Sequence, residues 1–232
     1  MSAVLPEFEL LHPSTVEEVI AAKKDIQSAR ICAGGTDIIV NMRHGLSETG
    51  TLIDLSTVDE MKRIKSDSEG LHIGAGVTLA EIAELPSIEE DYPAVAEAAR
   101  TIAGPTHRNV ATVGGNLCLD TRCLYYNQSH WWRKANDFCL KYKGEICHVA
   151  PNGNRCRAAF SGDLAPALMV HDASVEIAGP GGSRIVRLPE FYREDGADHL
   201  VLESSEIVIA VHLPPSSATS DYAKVRIRGA ID

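Results

Sequence analysis

Apolar residues recur at helical spacing over 14–24, behind Pro13 and a Ser14-Thr15 cap, which predicts a first helix. Residues 29–33 run apolar into Gly34-Gly35-Thr36, a short buried strand feeding a turn. Helical spacing resumes over 37–43, with Gly45 as its stop. Short strands are predicted at 51–55 and 71–75. Thr78 with Glu81 three residues on forms the capping-box pattern of a helix over 78–85. An alanine-rich helix follows over 93–102, and Asn116-Leu117-Cys118 reads as strand-like. Beyond a long cysteine-bearing stretch, 165–171 is apolar enough for a packed helix. Strands are predicted at 174–178, 184–188 and 207–213, the first two joined through Gly179-Pro180-Gly181-Gly182. Helices and strands interleave early and strands dominate late. The expected fold class is α+β with two lobes, the first ending near Ser56.

Composition narrows the function classes. The 232 residues are 44% apolar and 23% charged, which suits a soluble globular chain with a real core. A net charge of -10 argues against a general nucleic-acid surface. No apolar run approaches the ~18 residues of a membrane span. The first residues carry acids and no basic n-region, so no signal peptide and a cytoplasmic location are expected. In that compartment thiols stay reduced, and clustered cysteines point to metal or catalysis rather than to disulfides.

Two glycine turns carry candidate chemistry. Ala33-Gly34-Gly35-Thr36-Asp37 lies where a strand meets a helix, and Thr112-Val113-Gly114-Gly115-Asn116 repeats its ingredients. Glycine lets the backbone approach a ligand, and free amides there hold phosphate oxygens. Taken singly, such a turn is most often only a turn. Neither is a dinucleotide fingerprint or a P-loop, since Gly74-Ala75-Gly76 lacks the third glycine.

Five of the six cysteines fall between Cys118 and Cys156. No Cys-x2-Cys occurs among them, so no zinc knuckle or bacterial ferredoxin pattern is present. His148 beside Cys147 keeps a mixed zinc site open. Spacing alone leaves cluster, zinc and buried free thiols as equals. From Thr121 to Arg157 seven Lys or Arg face two acids, a net of +5 in an acidic chain. Such cations would offset the negative charge of four thiolates on an iron-sulfur cube. The aromatic residues of this stretch read most simply as its own small core. Cys32 and Cys118 read as small buried hydrophobes.

The two glycine turns, with Gly74-Ala75-Gly76-Val77-Thr78 between them and Ser161-Gly162-Asp163-Leu164-Ala165-Pro166 after them, resemble the flavin subunits of the xanthine-oxidase family of molybdenum hydroxylases. Tyr222-Ala223-Lys224-Val225-Arg226-Ile227-Arg228 matches as well. The resemblance implies a two-lobed FAD-binding domain: a small α/β lobe over 1–56, and a larger lobe over 57–220 with a mainly antiparallel sheet. It implies that FAD lies between the lobes with both turns on its pyrophosphate. Carried over by position, the cofactor-binding residues are Ile31, Cys32, Ala33, Gly34, Gly35, Thr36, Asp37 and Ile38, then Thr112, Gly114, Gly115 and Asn116. Asp163 is carried over too, with Ile102 and Lys224 weighed evenly against core packing and a solvated lysine.

The stretch of about 119–158 is an insert relative to most of that family. With Thr121-Arg122-Cys123-x-Tyr125-Tyr126-Asn127-Gln128-Ser129 and Cys139-Leu140-Lys141-Tyr142-Lys143-Gly144, it resembles flavin subunits of the 4-hydroxybenzoyl-CoA reductase type. The resemblance implies a [4Fe-4S] cluster on Cys123, Cys139, Cys147 and Cys156. It implies partner subunits carrying molybdenum cofactor and [2Fe-2S] clusters, and ferredoxin as electron donor. The chain would relay electrons and hold no acid-base catalyst of its own. It also implies that 221–232 begins a C-terminal domain absent from this chain. Two other readings stay open: a flavin subunit of a CO, xanthine or aldehyde hydroxylase, and a non-catalytic zinc-stabilised interaction module.

Overall fold

The computed structural model describes residues 4–216 and 219–226. Ile227 and Arg228 of the final motif, and the chain end at Ile231-Asp232, lie outside the described residues. In chain order the elements are β1 (Glu9–Leu11), α1 (Val16–Asp25), β2 (Arg30–Cys32), α2 (Ile38–Arg43) and β3 (Thr51–Asp54). A 3-10 turn (Asp59–Lys62) leads to β4 (Ile64–Asp67), β5 (Gly70–Gly74), α3 (Leu79–Glu84), α4 (Pro86–Asp91), α5 (Pro93–Thr101), α6 (Pro105–Arg108) and α7 (Val113–Leu117). Then come α8 (His130–Ala135), α9 (Leu164–Met169), β6 (Ser174–Gly179), β7 (Gly182–Arg187), α10 (Leu188–Phe191) and β8 (Ile207–Leu213).

Local sequence explains most helix starts. The Thr15 hydroxyl accepts from the Glu18 amide at 3.2 Å to open α1. Glu17 and Glu18 in its first turn and Lys23 and Lys24 in its last complement the helix dipole. Thr78 and Glu81 form the full capping box on α3. Prolines stand at the starts of α4, α5 and α6, where the missing amide hydrogen costs nothing.

The chain builds two sheets. The first is parallel, in the order β1-β3-β2. Its middle strand is buried, with Leu52 and Ile53 fully covered, as parallel sheets require. The second is antiparallel, in the order β4-β5-β8-β6-β7. On β5 and β8, Leu71 pairs with Leu213 and Ile73 with Val211, and all four are buried. One hydrophobic cluster runs from Val16 and Val19 through Ile53 to Val211 and Leu213, so both sheets share a core. The mixed helix and strand content and the antiparallel second sheet agree with the fold read from the sequence.

One local reading is corrected. Asn116-Leu117-Cys118 is not a strand: Asn116 and Leu117 end helix α7, and Cys118 caps it. Two glycines hide this helix from propensity, but tertiary contacts impose it. The Thr112 hydroxyl caps it, and the Cys118 amide reaches the Gly114 carbonyl at 2.9 Å.

The insert leaves the fold through a narrow neck. Arg122 and Ala159 exchange both backbone hydrogen bonds, each 2.8 Å. Between them α8 is the one regular element among the described residues.

Candidate functional site

The first glycine turn links β2 to α2. Gly35 has φ +70°, a conformation that favours glycine. A Cβ on Gly34 would lie 2.0 Å from the Val110 carbonyl oxygen, so the first turn rests directly on the approach to the second. Among the described residues the amides of Gly34, Gly35, Thr36 and Asp37 donate to no partner. Free amides around a left-handed glycine make an anion-binding nest. Ile31, Cys32, Ala33 and Ile38 flank this nest and are all half-buried.

The second turn is wired differently. The Val113 amide donates to the Val77 carbonyl at 2.9 Å and the Gly114 amide to the Ala75 carbonyl at 2.8 Å. The Gly115 amide donates to the Thr112 hydroxyl at 3.1 Å. These bonds explain why Gly74-Ala75-Gly76-Val77-Thr78 accompanies the turn: it is the ledge on which the turn is built. With those amides committed, the run of consecutive free backbone N–H groups lies in the first turn. Asn116 extends the arrangement, its Oδ1 accepting from the Leu164 amide at 3.1 Å beside Asp163.

Asp163 opens onto a cleft of about 980 Å³ lined by Gly162, Met169, Tyr192, His199, Tyr222 and Lys224. The Tyr222 hydroxyl donates to Asp163 at 2.7 Å, and the Lys224 ammonium lies 3.0 Å from the same carboxylate. Burial, and then the bond to Asp163, push the Tyr222 phenol up to about 12. Lys224 is therefore a paired cleft residue and not a solvated one. Ile102 is 9% exposed and packs in the shared core, while Arg108 holds its carbonyl at 2.9 Å. Tyr222 is a site residue that sequence reasoning missed, although its signal stood in the motif quoted around Lys224.

The insert packs against the first lobe at the end of α2. The Tyr126 hydroxyl donates to the Leu46 carbonyl at 2.7 Å, and the Arg133 guanidinium to the Gly45 carbonyl at 2.6 Å. Arg133 is 2% exposed and lies over the Tyr142 ring at 4.6 Å, while its Nε and Nη1 meet no partner among the described residues. Trp131 is exposed, so the insert's interior is not the plain aromatic core expected; cations are built into it. Lys141 bonds Asp120, Thr121 and Gly196, Lys143 faces Glu48, and Arg155 faces Glu194. Much of the excess positive charge is thus spent inside the molecule.

Cys139, Cys147 and Cys156 are buried and Cys123 is half-buried. Burial, and then the nearby charges of Lys141, Cys147 and Cys139, act on Cys156, with a net upward push on its thiol. At Cys147 burial pushes up, but amide hydrogen bonds from Ala150, Arg157 and Val149 outweigh it and hold the thiol below its usual range. The Cys156 sulfur accepts from the Ala158 amide at 3.4 Å. Cys123 directly follows Arg122 at the neck, whose bridge partner Ala159 directly follows Ala158. Among the described residues no three His, Cys, Asp or Glu converge to hold a metal ion, so the sulfurs of Cys123, Cys139, Cys147 and Cys156 are not gathered into a metal site here. His148 Nε2 is bonded to the Phe138 carbonyl and its ring lies against Tyr125. Cys32 and Cys118 are partly buried, and burial pushes Cys118 up to about 12.

The mixed fold thus carries a turn of free backbone amides and, at another place, a cleft lined by an aspartate-lysine pair. The family model described as "FAD binding domain in molybdopterin dehydrogenase" matches residues 6–216, and the chain belongs to that family of FAD-binding domains. It is 31% identical over 227 residues to the aldehyde oxidoreductase FAD-binding subunit PaoB of Escherichia coli K12, covering 94% of this chain and 71% of that one. It is 29% identical to the xanthine dehydrogenase FAD-binding subunit of Escherichia coli O157:H7 over 94% of its own length, spanning 63% of that subunit. The fold is that of a chain in the carbon monoxide dehydrogenase structure from Hydrogenophaga pseudoflava, with TM-score 0.76 and 21% identity over 98% of this chain and 67% of that one. Among the described residues no helix is long and apolar enough to cross a membrane.

Proposed function

We propose that this chain is the FAD- and iron-sulfur-bearing electron relay of a molybdenum-hydroxylase complex, of the 4-hydroxybenzoyl-CoA reductase type. The observation that carries the reading is the insert. It brings four cysteines into one excursion from the FAD-binding domain, and the sulfur of Cys156 already accepts an amide hydrogen bond. Hydrogen bonds to sulfur and nearby cations are the levers by which proteins stabilise and tune iron-sulfur clusters. Four cysteines in one excursion match the ligand count of a four-iron cluster.

Cys123, Cys139, Cys147 and Cys156 would hold the cluster, which passes single electrons, while FAD exchanges one or two. The chain's own task is to bind, insulate and orient the two. The amides of Gly34 to Asp37 would hold the FAD diphosphate, and Asp163, Tyr222 and Lys224 the far end of its cleft. Electrons would enter from a reduced ferredoxin and leave toward [2Fe-2S] and molybdenum centres on partner subunits, driving reductive dehydroxylation of an aromatic acyl-CoA.

The test is the composition of anaerobically purified protein. About four iron and four sulfide per chain with one FAD are expected. Zinc in their place, or flavin without iron, overturns the cluster. A second reading is favoured by the xanthine dehydrogenase and aldehyde oxidoreductase relatives: a flavin subunit of that kind, passing electrons outward. The midpoint potential of the iron centre separates the two. A very low value fits aromatic reduction and a high one fits outward transfer.

A further inference from the structure

Arg122 stands where the neck of the insert meets the first glycine turn. Its backbone closes the neck with Ala159, while its side chain crosses to the other lobe. There Nη2 lies 2.8 Å from the Asp37 carboxylate and also donates to the Asn41 side-chain oxygen. Asn41 in turn donates to the other Asp37 oxygen at 2.7 Å. The other terminal guanidinium nitrogen, Nη1, is buried and meets no partner among the described residues. Asp37 supplies one of the four free amides of the nest, so an uncompensated carboxylate there would oppose any diphosphate that the nest receives.

We propose that Arg122 is a positioning residue for FAD: it neutralises Asp37, fixes the carboxylate away from the nest, and so lets the first turn accept a diphosphate. The inference rests on reading that turn as the FAD cradle. It gives the insert a function separate from its cysteines, since the insert's first residues deliver the charge that makes the neighbouring lobe receptive to an anion. The ion pair is part-exposed on both sides, 24% for Arg122 and 39% for Asp37, so it contributes little to folding. Its effect belongs to flavin affinity.

The experiment is FAD titration of the deflavinated full chain, followed by flavin fluorescence, with the melting temperature of each variant recorded. Arg122→Met is expected to weaken FAD on the order of tenfold, because Asp37 is left unpaired beside the nest. Adding Asp37→Asn to that variant is expected to restore most of the loss. Unchanged affinity in Arg122→Met overturns the inference, and so does a double variant as weak as the single one. Should Arg122→Met fail to fold, Arg122→Lys replaces it: affinity kept within about threefold supports charge neutralisation, and a loss as large as tenfold overturns it. A wild-type chain that binds no FAD would instead sink the reading of the turn, a result distinguishable from both.

Discussion

Gly34→Ala would drive a methyl group into the Val110 carbonyl, a backbone atom that cannot turn aside. A loss of about 3 kcal/mol in urea unfolding is expected, with flavin affinity falling alongside. Gly115→Ala meets nothing nearer than the Thr112 hydroxyl at 3.1 Å, so it should fold almost normally. At the same scale, His171 and His199 are held below their ordinary value of 6.5 by burial. The unfolded chain then binds protons that the folded one resists. Stability should be full above pH 6.5 and decline progressively as the pH falls below it. Denaturant midpoints across that range should flatten in His171→Gln. The glycine turns and the cysteines were legible in the sequence because their residue types have few other uses in such density. Arg122's grip on Asp37 was not, since 85 residues separate the pair and one arginine among seven cations carries no mark.

Elements were legible where their ends are chemically punctuated. α1 and α3 were found through caps and spacing, and α5 through Pro93 and its alanines. Thr78→Ala should cost about 1 kcal/mol through the lost cap, read as a shift in denaturant midpoint. β1, β4, α6 and α10 went unread because they are three or four residues long, too short for a period to show. α7 was misread for a different reason. Its Gly-Gly pair disfavours a helix, and the pins that enforce one come from residues 75 and 77, outside any local window. The helix at 165–171 was placed within two residues of the observed Leu164–Met169.

At the scale of the molecule, one core serving both sheets predicts a single cooperative unfolding transition. Circular dichroism and flavin fluorescence should report the same midpoint. The insert adds a brace to that unit by satisfying two carbonyls just beyond α2, those of Gly45 and Leu46. Tyr126→Phe removes one of these bonds and should lower stability by about 1 kcal/mol in denaturant titration. The mixed helix and strand fold with its antiparallel sheet was read from a resemblance and from interleaved patterning. The brace was not, because nothing in a cysteine-rich stretch says which surface it will lie on.

The neck has a consequence for how such a molecule came to exist. Because Arg122 and Ala159 are already bonded partners, the chain re-enters the fold at the place where it left. Whatever lies between them can change in length without disturbing the register of the neck, even though the present insert also braces the end of α2. A short turn at this spot could accept a cysteine-bearing appendage in one insertion, and lose it again, with the neck left unchanged.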